Sequence, residues 1–157
     1  MARIERTSQL VKTQYADHLA DRPLTVNTEG FARRTRELVV AVGRLDYEQK
    51  RFHTAAAMFE KALRVTADDP VSFYFLAKIA LETASGPDTA DRAIAHLQNA
   101  IRADATYAPA YRELGLAHYR QGDRPQAIAA LERYLALDPR AKDTPRIHGA
   151  IRDLRRY

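Results

Sequence analysis

Small and apolar residues recur in the same order in three successive stretches of this chain. In the last stretch the series runs Tyr111, Leu114-Gly115, Ala127 and Leu131. The matching slots hold Phe73, Leu76-Ala77, Ala93 and Leu97 in the middle stretch, and Val39, Val42-Gly43, Ala55 and Phe59 in the first. Apolar positions at helical spacing predict amphipathic helices, so each stretch is predicted to form a pair of helices. The pairs are expected at about residues 36–69, 70–107 and 108–141.

The small residues in this series have a predicted structural role. Where the first helix of a pair must approach the second, the chain has Gly43, Ala77 and Gly115, and opposite them it has Ala55, Ala93 and Ala127. A larger side chain at either place would force the two helices apart. Glycine inside a helix costs roughly 1 kcal/mol relative to alanine, so Gly43 and Gly115 indicate close packing. Phe59, Leu97 and Leu131 are predicted to fill the space between successive pairs.

The series, with its period of about 34 residues, resembles the tetratricopeptide repeat (TPR), whose signature places an aromatic residue, Leu-Gly, Tyr, Ala, Phe, Ala and Pro along two helices. The resemblance covers residues 36–141 and is closest in the last copy. It implies an all-α fold: a right-handed superhelical α-solenoid of helix-turn-helix repeats, each packed on its neighbours. We therefore expect three repeats and no β-strand.

The copies depart from this signature in a few places. The tyrosine expected in the first helix is Asp46 in copy one and Ala80 in copy two. An alanine expected late in the second helix is Tyr134 in copy three, which predicts that the last repeat packs against something other than a standard repeat. Copy two is longer in the turn at residues 84–90. We interpret this insertion as a tolerated surface loop, with a binding loop as the alternative.

Both ends of the repeat array are predicted to carry further helices. In residues 1–35, apolar positions predict a helix from about Ser8 to Ala20, and a second helix is expected to start at Asn27 or Thr28. We interpret this region as a cap, with a half-repeat, a disordered arm or a segment lying in a groove as alternatives. Residues 142–157 are predicted to form a capping helix. It would begin with Asp143 or Thr144 as N-cap and Pro145 as first helical residue, and its apolar side would consist of Ile147, Ala150, Ile151 and Leu154.

Composition and charge exclude several classes of protein. The formal net charge is +5, but residues 36–141 carry equal numbers of basic and acidic residues, so the excess lies at the ends of the chain. No surface concentrates basic and aromatic residues, so nucleic-acid binding is not expected. No apolar run is long enough to span a membrane, and the first residues lack the apolar region of a secretory signal. The cytoplasm is the default expectation, with the periplasm as the alternative for a processed fragment.

Catalytic and metal-binding motifs are absent from the sequence. With no cysteine, thiolate catalysis and zinc–thiolate sites are excluded. There is no glycine-rich phosphate loop, no nucleophile elbow and no paired-histidine zinc motif. We therefore predict a protein that is not an enzyme and that has no cofactor, no metal site and no catalytic residue.

The resemblance also implies where a partner would bind. In TPR proteins the first helix of each repeat lines a concave groove. The resemblance implies that the groove of this chain includes Val40, Arg44, Tyr47, Tyr74, Lys78, Leu81, Arg112, Leu116, Tyr119 and Arg120. The implied function is a non-enzymatic interaction module that binds a peptide segment of another protein, with apolar anchors and acidic flanks. The alternative is a structural, self-associating module or the repeat-containing C-terminal part of a larger bacterial protein such as a zinc protease.

One specialisation of the family can be tested on the sequence. Chaperone-binding members hold a C-terminal carboxylate with lysine, asparagine and further basic residues. The corresponding positions here are Val40, Arg44, Phe75, Pro109 and Glu113. Only Arg44 could contribute, so the chain does not resemble a co-chaperone of that type.

Overall fold

The computed structural model describes residues 28–83 and 88–156, so the predicted helix at residues 8–20 and the turn residues 84–87 lie outside the described residues. The chain divides into two compact units, Met1–Phe31 and Ala32–Tyr157. The described ranges contain helices and turns and no β-strand. The helices are α1 (Thr28–Glu48), α2 (Phe52–Val65), α3 (Pro70–Thr83), α4 (Thr89–Ala103), α5 (Ala108–Gln121), α6 (Arg124–Leu137) and α7 (Thr144–Arg155). Helix α1 lies where the sequence predicts a helix starting at Asn27 or Thr28.

The turns within the first and last pairs are short because a single residue reverses the chain. Lys50 adopts φ 59° between α1 and α2, and Gly122 adopts φ 77° between α5 and α6. Asp46, which replaces the signature tyrosine, is buried and accepts a hydrogen bond from Arg51 Nε at 3.1 Å. This departure from the repeat signature therefore closes the first turn with a charged pair in place of an aromatic contact.

Helix α3 begins with a side-chain cap that the neighbouring helix supports. Asp69 precedes Pro70 and accepts a hydrogen bond from the Ser72 backbone N–H at 2.8 Å. Capping of this kind satisfies one of the free amides in the first turn. The buried Asp69 carboxylate also lies 3.7 Å from Arg36 Nε on α1. Local capping and the contact between successive repeats are therefore carried by the same side chain.

The close approach predicted at the small residues is confirmed. A Cβ at Gly115 would lie 2.6 Å from Leu131 Cγ, and one at Gly43 would lie 3.0 Å from the Phe59 ring. On the second helices, Ala55, Ala93 and Ala127 are fully buried. Since atoms in protein interiors are close-packed, a methyl group added at either glycine would displace its neighbour.

The core consists of three clusters that follow one another along the array. The first centres on Phe59 and Leu76, the second on Leu97 with Ala77 and Ala110, and the third on Leu131 with Tyr134. Each cluster contains residues from successive helices, so each repeat buries its apolar side only when its neighbour is present.

Helix α7 covers the last repeat through the predicted apolar positions. Ile147, Ile151 and Leu154 are buried against Leu131 and Tyr134, which confirms the predicted contact at the tyrosine. Asp143 is the N-cap residue of α7, as expected, but its side chain makes no capping hydrogen bond, and the hydroxyl of Thr144, the alternative, has no hydrogen-bond partner among the described residues. The Asp143 carboxylate accepts hydrogen bonds from side chains of α5 and α6 instead.

Candidate functional site

The first helices of the three repeats (α1, α3 and α5) and the capping helix α7 share one surface, which we call the first-helix face. Its middle part is a line of aromatic rings. The Tyr47 ring lies 5.2 Å from that of Phe75, Phe75 lies 5.3 Å from Tyr74, and Tyr74 lies 5.7 Å from Tyr107, each pair edge to face. An edge-to-face pair of aromatic rings contributes more to stability than the burial of its surface area alone. The line therefore joins α1, α3 and the start of α5 into one rigid floor.

Two cations lie over this aromatic floor. Lys78 Nζ is 4.9 Å from the ring centroid of Tyr47 and 5.7 Å from that of Tyr74. The Arg44 guanidinium is 5.8 Å from the Phe75 centroid. Neither cation forms an ion pair within residues 28–83 and 88–156. Ring faces hold the positive groups in place by cation–π attraction without neutralising their charge.

Two tyrosine hydroxyls of this floor, those of Tyr74 and Tyr107, stay protonated over the whole neutral range. Burial, reinforced by the nearby Glu113 carboxylate, raises the pKa of Tyr74 well above its usual range. Burial also raises the pKa of Tyr107. Both phenols can therefore donate a hydrogen bond to an acceptor on a bound molecule.

Two cavities open on the first-helix face, one toward each end. The cavity between α1 and α3 has a volume of about 220 Å³, and its lining includes Val40, Arg44 and Val71. The cavity between α5 and α7 is larger, about 450 Å³. Its lining is mostly apolar, with charge at one side: Leu116, Tyr119, Leu131, Gly149, Ala150, Arg146 and Asp153. A volume of this size lies within the roughly 300–1,000 Å³ of ordinary ligand pockets.

Arg112 differs from the other predicted groove cations because its charge is paired. Its Nε donates to Asp143 Oδ2 at 2.6 Å, and its Nη1 donates to Glu113 Oε1 at 2.5 Å. The Tyr134 hydroxyl donates to the other oxygen of Asp143 at 2.7 Å. Burial alone would raise the pKa of Asp143, but the hydrogen bonds from Arg112 and Tyr134 outweigh it and lower that pKa. Arg112 therefore stabilises the junction between the last repeat and α7.

The structure places the ten predicted groove residues in six different surroundings. Val40 and Arg44 line the smaller cavity, and Leu116 and Tyr119 line the larger one. Tyr47, Tyr74 and Lys78 form the aromatic floor, whereas Leu81 packs against the second core cluster. Arg120 is exposed and forms no ion pair in the described part of the chain. Arg112, the tenth, is paired as above.

Sequence reasoning missed several further residues of this face. Phe75 and Tyr107 complete the aromatic floor, and Arg146 and Asp153 form the charged side of the larger cavity. The aromatic character of Phe75 and Tyr107 was a usable signal, since both lie near predicted groove positions. No signal existed for Arg146 and Asp153, which belong to the capping helix and lie outside the repeat pattern.

Two kinds of site are missing from the described ranges. No group of three or more His, Asp or Glu residues there lies close enough to hold a metal ion. Among the same residues, no helix has the length and apolar character needed to cross a bilayer.

Family models match the second half of the array. A model described as "TPR repeat" matches residues 90–122, and one described as "Tetratricopeptide repeat" matches residues 108–141. The paired helices and their shared first-helix face define a helical repeat solenoid. With these matches, residues 90–141 are identified as tetratricopeptide repeats.

Solved structures agree in fold. The first TPR of Spaghetti (RPAP3), bound to the HSP90 peptide SRMEEVD, is similar with a TM-score of 0.67 and 17% identity, covering 78% of this chain and 92% of that chain. The Arabidopsis OM64 TPR domain is similar with a TM-score of 0.68 and 19% identity, covering 78% of this chain and 98% of that chain. At this level of identity the likeness concerns the fold.

Curated relatives match over a shorter stretch. Cellulose synthase operon protein C of Escherichia coli strain K12 is 38% identical over 63 residues, which are 40% of this chain and 5% of that protein. The putative protein of the same name in Escherichia coli O157:H7 matches over the same length, 6% of its own. The chain thus spans only a small fraction of the length of the curated relatives it matches.

Proposed function

We propose that the first-helix face binds an extended segment of another protein, with apolar anchors in the segment and acidic residues beside them. The observation that carries this proposal is the combination of an apolar cavity, a partly buried aromatic floor and three cations that have no carboxylate partner among the described residues. Tyr119 is 53% exposed at the rim of the larger cavity. A large side chain kept this exposed is available for contact with a partner, and tyrosine is enriched at binding hot spots.

The cations of the first-helix face support the proposal that the bound segment has acidic residues beside its anchors. Arg44, Lys78 and Arg120 are distributed over α1, α3 and α5, so a segment that crosses these helices meets an unpaired cation on each. Charges at the rim of an interface chiefly raise the association rate and select the partner, while buried anchors supply most of the affinity. We therefore assign the anchor role to the cavity beside Tyr119 and the steering role to the three cations.

A C-terminal carboxylate is not the feature we expect this face to recognise. One neighbour in fold is bound to the HSP90 peptide SRMEEVD, but the matching positions here do not offer a similar set of donors. Phe75 packs in the aromatic floor, and the Glu113 carboxylate is hydrogen-bonded to Arg112. We therefore expect that the peptide SRMEEVD does not bind this face, and it serves as a negative control.

The proposal is tested by selecting displayed random peptides against the immobilised protein. We expect the selected sequences to contain a large apolar residue with Asp or Glu within a few positions. Replacing Tyr74 and Tyr119 by Ala should weaken binding of a selected peptide by more than about 2 kcal/mol, as for hot spots elsewhere, while helicity is kept. Replacing Arg44 and Arg120 by Glu should slow association and flatten its dependence on salt.

A matched control uses charge reversal on a second helix. Lys61 and Arg64 are exposed on α2, away from the first helices, so Lys61→Glu with Arg64→Glu should leave binding unchanged. Unchanged affinity in both first-helix variants, or equal loss in the α2 control, would refute this site. SRMEEVD should compete weakly or not at all.

A further inference from the structure

Helix α1 carries an exposed apolar line that the first-helix face does not use. We call it the α1 stripe: Leu38, Val42 and Leu45, which are 66%, 39% and 55% exposed. Leu38 and Leu45 are two helical turns apart, and Val42 lies between them, so the three form one line along the helix. Scattered exposed apolar residues are ordinary, whereas a continuous line on one helix indicates a contact surface.

The stripe is separate from the surfaces of α1 already described. Val39, Gly43 and Asp46 are buried on the core side of the helix. At about 100° per residue, the stripe lies roughly 140° around the helix from Val40 and Arg44, which line the smaller cavity. Ala41, between the stripe and these two residues, also lines the smaller cavity, so a partner on the stripe would reach the first-helix face only at the edge of that cavity.

We propose that the α1 stripe pairs with the α1 stripe of a second copy of this chain, antiparallel and about a twofold axis near residues 41 and 42. Twofold pairing requires a surface that is complementary to itself. Around this axis, Leu38 of each copy contacts Leu45 of the other. The dimer therefore contains two equivalent Leu38–Leu45 contacts. The exposed Ala41 lies near the axis, where a small side chain lets the two helices approach closely.

The charges next to the stripe favour the antiparallel arrangement. Arg34 and Glu48 are exposed near its two ends, and neither forms an ion pair within the described ranges. Antiparallel pairing places Arg34 of each copy beside Glu48 of the other. Parallel pairing would place like charges together at both ends, which is unfavourable. By contrast, Arg33 already pairs with Glu37 on its own helix, at 3.7 Å.

The contact should be weak, because one helix face is smaller than a typical stable interface. Association is therefore measured by sedimentation of the full chain from about 5 to 500 µM, the range suited to small interfaces. We expect the mean mass to rise toward twice the chain mass. A constant monomer mass over that range would overturn the proposal.

Charge reversal tests the arrangement directly. Arg34→Glu and Glu48→Arg should each raise the dissociation constant about five- to tenfold, since each places two like-charged pairs in the dimer where exposed pairs contribute up to about 1 kcal/mol each. Mixing the two variants should restore wild-type association, because the mixed dimer has an opposite charge at both ends. Glu60→Arg, an exposed reversal on α2, is the control and should leave association unchanged. Failure of the mixture to recover would overturn the antiparallel pairing.

A disulfide test identifies the occupant of the stripe. The chain has no cysteine, so Ala41→Cys places one thiol per copy near the proposed axis. Mild oxidation should convert this variant to a covalent dimer much faster than Ala95→Cys, an exposed alanine on α4. Equal rates would mean that a second copy does not occupy the stripe.

Discussion

The two ends of the helical array differ in how far their apolar residues are buried. At the α7 end, Leu131 is fully buried and Tyr134 is 6% exposed, because the capping helix packs against both. At the α1 end, Leu38 is 66% exposed. A repeat presents an apolar surface to the next repeat whether or not one follows. Among the described residues, an apolar side chain at an end of the array is therefore buried where a described helix packs against it, as α7 does.

The cap is held by polar contacts as well as by apolar packing. Asp143, just before α7, accepts hydrogen bonds from Arg112 of α5 and Tyr134 of α6. Burial and the hydrogen bond to Asp143 together raise the pKa of Tyr134 to about 12, so its hydroxyl remains a donor at any ordinary pH. The tyrosine that breaks the repeat signature thus fixes the start of the capping helix.

The largest effect is expected from removing the cap. Deleting residues 143–157 uncovers Leu131 and Tyr134 and removes three buried side chains, each worth about 1.5–3 kcal/mol when fully buried. We expect aggregation or a fall in melting temperature of more than about 10 °C, given roughly 2–4 °C per kcal/mol for a chain of this size. Thermal melting followed by circular dichroism measures it. Unchanged melting would make the segment a tail without a structural role.

The next effect compares one leucine from each end. Leu131→Ala should destabilise the protein by about 2–5 kcal/mol, as expected for truncation in a packed core. Leu38→Ala should change stability by less than about 0.5 kcal/mol, as for an exposed position, when measured at low protein concentration. Urea unfolding of both variants provides the values. Equal effects would contradict the difference between the two ends.

A smaller effect is expected from two glycines. In Gly115→Ala the new methyl would overlap Leu131, so we expect a loss of about 1–3 kcal/mol from overpacking. In Gly149→Ala on α7 the nearest atom lies 3.9 Å away, so the better helix propensity of alanine should stabilise by up to about 1 kcal/mol. Denaturation midpoints of the two variants should move in opposite directions. A shift in the same direction would mean that close packing at Gly115 is not needed.

The smallest effect concerns the stability of the fold at low pH. The pKa of Asp143 is lowered in the folded chain, so its contribution to stability is present above the unfolded value of about 3.9 and is lost as the pH falls through the lower folded pKa. Asp143→Asn should cost about 1 kcal/mol or less at pH 7, and the difference from wild type should shrink from pH 5 to below 3. Urea unfolding over this range provides the measurement. A constant difference would show that the charge of Asp143 is not responsible.

Sequence reasoning succeeded where a feature is local or repeated. The helix pairs, the close approach at Gly115 and the apolar side of α7 follow from helical spacing within one or two turns. It failed for the side chain of Asp143, because the local rule for helix starts directs this carboxylate to the amides of the first turn, whereas Arg112, its partner, lies 31 residues away. It also treated Arg112 as a groove cation equal to Arg120, since both occupy groove positions in the repeat pattern.

The sequence by itself determined the class of fold, because a repeat contacts only its neighbours and its periodic small and apolar residues therefore specify the packing. The tertiary structure alone decided which cations of the first-helix face are paired and where its cavities lie. Ion pairs and cavities depend on how side chains of different repeats meet, to within about an ångström. Helical spacing states which residues share a face, but it does not state those distances.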